Sequence, residues 1–133
     1  MRKPSKQWVE FGLLVDIIDI RIGKQQRELV KLNRERNHVN GQIQKLWSQI
    51  EQKQVELKTL NILDETNALG RLFLRREDCK SHIESLFFDV SIKQQKCDAL
   101  TLNIYTTEDK KKKLEKRKDA LGELRDLIRY EEQ

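Results

Sequence analysis

Proline occurs once in this chain, at position 4, so from residue 5 onward no proline interrupts a helix. Aromatic residues make up 6% and methionine occurs once, while 37% of residues are charged. That balance does not suit a thick globular core. Histidine occurs twice, at His38 and His82, and neither has a partner at ligand spacing. There is no glycine-rich phosphate loop, no Cys/His cluster and no nucleophile beside a base. The expectation is therefore a protein that is not an enzyme and has no cofactor or metal site. The two cysteines, Cys79 and Cys97, would lie about 27 Å apart on one helix, too far to bridge. Both fit as small apolar residues. Arg2, Lys3 and Lys6 precede an apolar run in the manner of a signal peptide. Asp16 and Asp19 interrupt that run and no small-residue cleavage site follows. It is also too short to span a bilayer. The expectation is a soluble, cytosolic chain without membrane insertion.

What the chain does have is a stride. From Phe11 to Leu60, steps of four and three meet Phe11, Val15, Ile18, Ile22, Gln25, Leu29, Leu32, Arg36, Val39, Ile43, Leu46, Ile50, Lys53, Leu57 and Leu60. Twelve of these fifteen are apolar. A 3-4 alternation means 3.5 residues per turn, the repeat of a left-handed coiled coil; a strand would need period two. A helix of roughly 50 residues, about 75 Å long, thus carries one narrow apolar stripe that requires a second helix.

The second half supplies one. Leu69, Leu72, Arg76, Cys79, Ile83, Leu86, Val90, Lys93, Cys97, Leu100 and Ile104 repeat the stride. Thr106 to Asp109 then reads as an interruption, with the spacing of a capping box. The stripe resumes in shifted phase at Leu114, Leu121, Leu124 and Ile128, a three-residue slip that predicts local overwinding or a short break. Between the arms, Asn61 to Asn67 is rich in residues that compete with helical hydrogen bonds, and Asp64 or Thr66 can cap the next helix. Ser5 can cap the first. The predicted fold is all-α: one domain over residues 1–133, two long helices forming an antiparallel coiled-coil hairpin. Helix 1 covers about 5–62, the turn about 62–67 and helix 2 about 68–130. Positions equidistant from the turn then face each other, Ile18 near Leu114 and Ile50 near Ile83, with both termini at one end.

The net charge is +5. Residues 1–63 hold 12 Lys/Arg against 7 Asp/Glu, and residues 64–133 hold 15 of each, so the linear excess sits in the first half. A local basic block runs from Lys110 to Lys118, seven basic residues in nine. It reads either as a solvated helical face or as a surface for an anionic partner. In register it lies beside residues 14–22, where the apolar character is broad: Trp8, Val9, Leu13, Leu14, Ile17 and Ile20 fall beside or off the stride. One helix cannot cover that circumference, so either a third party or a homodimer mate is expected there. Near the turn, Phe73, Leu74 and Phe88 are likewise surplus to a two-helix seam and are flanked by Arg71, Arg75 and Arg76. They suit a second docking patch or a local fold-back. Stacking aromatics and a nucleic-acid motif are missing from the basic region, which favours a protein partner with an acidic lining and an apolar socket over nucleic acid.

Residues 62–121 carry a further likeness. Ile62-Leu63-Asp64 near the turn, Ala68-Leu69-Gly70-Arg71-Leu72-Phe73 after it, and the helix ending in Lys110–Lys118 resemble the FliJ/YscO family, the central stalk proteins of type III secretion ATPases. The likeness is closest to its short virulence-system members. The resemblance extends to length, charge and hairpin pattern. It implies a fold like the gamma stalk of rotary ATPases. The terminal end of the hairpin would enter the pore of a hexameric secretion ATPase and promote its assembly and ATP hydrolysis. The hairpin side would face an export-gate protein, and secretion chaperones would be further partners. The place of action would be the cytoplasmic face of a membrane-embedded secretion apparatus. By region, Arg2, Lys3, Lys6, Lys111, Lys112, Arg117, Arg125 and Arg129 are then candidates for the ATPase contact, and Leu72, Phe73 and Leu74 for the gate. Two other readings of the sequence stand beside this one: a parallel homodimeric scaffold with Gln25, Arg36 and Lys53 setting register, and a basic nucleic-acid-binding coiled coil.

Overall fold

The computed structural model describes the backbone of residues 3–62 and 69–129, and the side chains of these except 61 and 62. Two helices account for nearly all of it: α1, Lys6–Ile62, of 57 residues, and α2, Leu69–Leu127, of 59 residues. They pack against each other, and the described residues contain no strand-built layer. The expected turn lies outside the described residues apart from Ile62, which belongs to α1. The expected caps Asp64 and Thr66 lie outside them too. At the other end of α1, Ser5 caps as its residue type suggests: its Oγ accepts the Trp8 N–H at 3.0 Å.

Contacts divide the chain into two compact units, a terminal unit of residues 1–34 with 101–133 and a middle unit of residues 35–100. In the terminal unit the helices run antiparallel: Ser5 meets Ile128, Trp8 meets Arg125, Asp19 meets Lys118 and Gln26 meets Lys111. Ile18, Leu29, Leu32 and Ile104 are buried along its seam. The middle unit repeats the arrangement, with Asn40 beside Cys97, Trp47 beside Phe87 and Lys53 beside Cys79. Ile50, Leu86 and Val90 form a buried cluster there with Leu46 against it. Each such aliphatic side chain withdrawn from water contributes roughly 1.5–3 kcal/mol. Both cysteines are buried and free, as seam residues. The Cys79 thiol donates to the Lys53 carbonyl at 3.2 Å and the Cys97 thiol to Asn40 Oδ1 at 3.1 Å.

Every one of the fifteen stride positions on α1 is buried or half-buried. On α2 the expected interruption is absent. The helix continues through Thr106–Asp109, and the stride keeps its phase through Ile104, Thr107, Lys111, Leu114, Lys118, Leu121, Arg125 and Ile128, all buried or half-buried. Leu124, expected on the stripe, is 49% exposed. Thr106 does not cap: it is exposed and its hydroxyl donates to the Leu102 carbonyl at 3.0 Å. Polar side chains hold this stretch of the seam because Thr107, Lys111, Lys118 and Arg125 each have a partner. Buried Thr107 donates to the Asn103 carbonyl at 2.8 Å, and Lys111 reaches Gln26 Oε1 at 2.7 Å. Long side chains lay their stems along the seam and put their charged heads at its rim. Trp8, read as off the stride, is half-buried and extends it by one step at the N-terminal end.

Gly41 is exposed in the middle of α1, and a Cβ there would meet nothing within 4 Å. Gly41→Ala is therefore expected to stabilise the chain by about 1 kcal/mol, the difference in helix propensity. Urea denaturation followed by circular dichroism measures it, and a loss of stability would show that the site is not open.

Candidate functional site

Folding redistributes the charge. The terminal unit holds 17 Lys/Arg against 12 Asp/Glu, and the middle unit holds 10 of each. The whole excess thus belongs to the unit assembled from both ends of the chain, a grouping that the split into first and second halves does not reveal.

Within this unit the basic residues separate into two groups. Lys111, Lys118 and Arg125 serve the seam. Lys111 bonds Gln26 and lies 3.7 Å from Glu115. Lys118 pairs with Asp19 at 2.7 Å, and the hydrogen bond and charge of Asp19 raise its pKa above the ordinary 10.5. A cation with a raised folded-state pKa contributes fully below about pH 10.5 and loses its contribution only as pH climbs through the raised value. Arg125 closes the end of the seam. Its guanidinium sits 3.9 Å above the centre of the Trp8 ring, and its Nε donates to the Trp8 carbonyl at 3.1 Å. Gly12, which is buried, makes the room: a Cβ there would stand 2.5 Å from Arg125 Nη2. Ser5 completes the closure, its hydroxyl donating to the Ile128 carbonyl and its N–H to the Arg129 carbonyl at 3.2 Å.

Lys3, Lys6, Lys112 and Arg117 are exposed, as are Lys110, Lys113 and Lys116. Of these, Lys113 pairs with Asp109 at 3.0 Å. Arg129 is exposed and takes part in interactions at the chain end. Arg2 lies outside the described residues. Of the seven described basic candidates for a partner contact, Lys111 and Arg125 already have internal partners.

Arg125→Ala removes a cation–π contact and a charged hydrogen bond from a half-buried site. The expected cost is about 1–2 kcal/mol. Gly12→Ala should come out near neutral, because gained helix propensity offsets a displaced Arg125. Hydrogen exchange at Trp8 to Gly12 distinguishes the two, since only Arg125→Ala combines faster exchange with a lower melting temperature. Unchanged exchange in Arg125→Ala would remove the clasp.

Apolar surface also remains outward in this unit. Val9, Leu13, Ile17 and Ile20 are 48%, 59%, 47% and 71% exposed. Further along the same helix Lys24, Arg27, Lys31 and Arg34 are all exposed, and none of them forms an ion pair among the described residues. A search for contiguous charge misses these four. Reading α1 at positions two past each seam residue finds them.

In the middle unit, the gate candidates divide as well. Leu72 is half-buried in the seam, while Phe73 and Leu74 are 61% and 62% exposed. Phe88 is outward too, and Phe87 packs edge-on against Trp47 with ring centres 5.6 Å apart. These side chains are not covered by a local fold-back among the described residues. Arg71 and Arg75 are exposed and Arg76 lies half-buried at a seam position. His38 faces the Gln42 amide at 3.3 Å. Among the described residues no group of three or more His, Cys, Asp or Glu could hold a metal ion, and no helix is long and apolar enough to cross a membrane.

Compared with known proteins, the chain matches no family model, no curated protein and no solved structure.

Proposed function

We propose that the chain is a non-enzymatic central stalk of a type III secretion ATPase. Its terminal unit engages the pore of the hexamer and promotes assembly and ATP hydrolysis, and the Phe73–Leu74 surface contacts an export-gate protein. Secretion chaperones are further partners, and the site of action is the cytoplasmic face of the secretion apparatus. The observation that carries the reading is that the whole net charge belongs to the unit built from both chain ends, which also turns Val9, Leu13, Ile17 and Ile20 outward. The loose likeness of residues 62–121 to the FliJ/YscO family supports it.

A stalk needs stiffness and asymmetry more than tight chemistry. A single hairpin in a six-fold ring touches each subunit differently, and so biases which one binds or hydrolyses ATP. Contacts through exposed lysine and arginine are weak individually and screened by salt, which suits an interface that must break and reform. The seam of the homodimer reading is already covered by the chain's own α2.

The test adds the purified chain to a hexameric export ATPase and measures hydrolysis and the hexamer population. Both are expected to rise. Lys112→Glu with Arg117→Glu, two exposed sites, is expected to weaken association about tenfold while helicity stays unchanged. Hydrolysis and assembly that ignore the chain would contradict the reading.

A further inference from the structure

The outward face of α1 in the terminal unit is ordered along its length. Each of Leu13, Ile17 and Ile20 stands two residues past a seam residue, about 200° around the helix, and so points away from α2. The same offset continues through Lys24, Arg27, Lys31 and Arg34. One stripe therefore begins apolar and ends cationic, over about 30 Å. The three apolar side chains are 59%, 47% and 71% exposed, and all four cations are exposed without an ion pair among the described residues. The basic block of α2 differs. There Lys111, Lys113 and Lys118 are paired with carboxylates, and the corresponding outward positions Asp109, Lys113, Lys116, Ala120 and Glu123 mix both signs with a neutral residue. Like charges three and four apart on a helix repel; Glu28 and Glu35 stand three or four residues from Lys24 and Lys31, but neither closes an ion pair with them.

We propose that this stripe docks a helix of a partner protein that carries apolar side chains at one end and acidic ones at the other, at matching 3-4 spacing. Charge complementarity selects an acidic occupant, and the segregation along the axis selects its form. A helix lying on a membrane needs apolar and basic faces side by side along its whole length. A nucleic acid would leave Leu13, Ile17 and Ile20 without a role, since single strands stack on aromatic rings. A helix laid alongside α1 satisfies both halves at once. The surface is distinct from the Lys112–Arg117 contact assigned to the ATPase, and the inference does not depend on that assignment.

The probe is a synthetic helical peptide long enough to run the stripe, with leucine at three successive stride positions and glutamate at the next four. Its control has the same composition with leucine and glutamate interleaved. Fluorescence anisotropy at physiological salt is expected to show the ordered peptide binding about tenfold tighter. Lys24→Glu with Arg27→Glu, Lys31→Glu and Arg34→Glu should abolish that preference. Four reversals on α2, Lys110→Glu with Lys113→Glu, Lys116→Glu and Arg117→Glu, should leave it within about threefold. If the α1 reversals unfold the chain, Arg27→Gln with Lys31→Gln gives the same comparison with a smaller loss. Equal binding of the two peptides, or equal loss in the two sets of variants, overturns the proposal. So does tighter binding of phosphatidylserine vesicles or mixed-sequence duplex DNA than of the ordered peptide. ATPase stimulation measured on the α1 variant is a separate readout: its persistence leaves the stalk reading standing whichever way the peptide result falls.

Discussion

Ile50→Ala is expected to cost about 2–4 kcal/mol, toward the lower part of the range for buried aliphatic truncations. Ile50 is 1% exposed and packs with Leu86, Val90 and Leu46. Two terms add: the transfer of the lost methyl and methylene groups, and the cavity they leave. The seam is only two helices thick, so the neighbours can partly close the gap, which limits the second term. Ile50→Asp should be worse, because a carboxylate there would have no cation to pair with across Leu86 and Val90. Val55→Ala, at a position 63% exposed, is the control and should change stability by less than about 0.5 kcal/mol. Chemical denaturation followed at 222 nm reads all three. An Ile50→Ala effect no larger than that of Val55→Ala would mean that this seam is not a core.

Glu108→Pro is expected to destabilise by about 3 kcal/mol or more. Glu108 is exposed, so its side chain contributes little, and the whole effect comes from the backbone. Residue 108 lies inside the continuous helix Leu69–Leu127, where proline removes the bond to the Ile104 carbonyl and clashes with it. If α2 broke at Thr106–Asp109, proline at this place would be tolerated. Glu108→Ala, close to neutral, separates loss of the side chain from disruption of the helix. A proline variant as stable as the alanine variant would restore the interrupted reading.

That contrast explains what was legible in the sequence. From Phe11 to Leu60 apolar residues dominate the stride, and period alone identifies the buried face. Leu69, the first expected stripe position on α2, is 72% exposed, but from Leu72 to Ile104 α2 reads as easily. Beyond it, Thr107, Lys111, Lys118 and Arg125 take seam positions, and a search for apolar spacing jumps to Leu124, which is 49% exposed. What admits those polar residues is their partners: the Asn103 carbonyl, Gln26, Asp19 and Trp8. Three of those four belong to the other helix, so they cannot be read from α2's own pattern. The buried Gly12 is opaque for the same reason, since its role depends on a guanidinium more than a hundred positions away in the chain.

The candidate surfaces were legible in part. The outward apolar residues at the start of α1 and the exposed Phe73, Leu74 and Phe88 follow from being off the stride. The Lys110–Lys118 block is conspicuous as a run, yet a helix distributes such a run around its circumference, and two of its lysines turn back to bond α1. Lys24, Arg27, Lys31 and Arg34 look scattered in the sequence and become neighbours only on the helix surface.

Everything rests on one chain supplying both sides of its own seam. A zero-length carbodiimide crosslink tests this on the unmodified protein, because Asp19 and Lys118 stand 2.7 Å apart. At low protein concentration the account predicts an amide joining the peptides that carry these two residues, within a species of the 15.9 kDa monomer mass. Finding that linkage only in a species of twice the mass, or not at all, would contradict it.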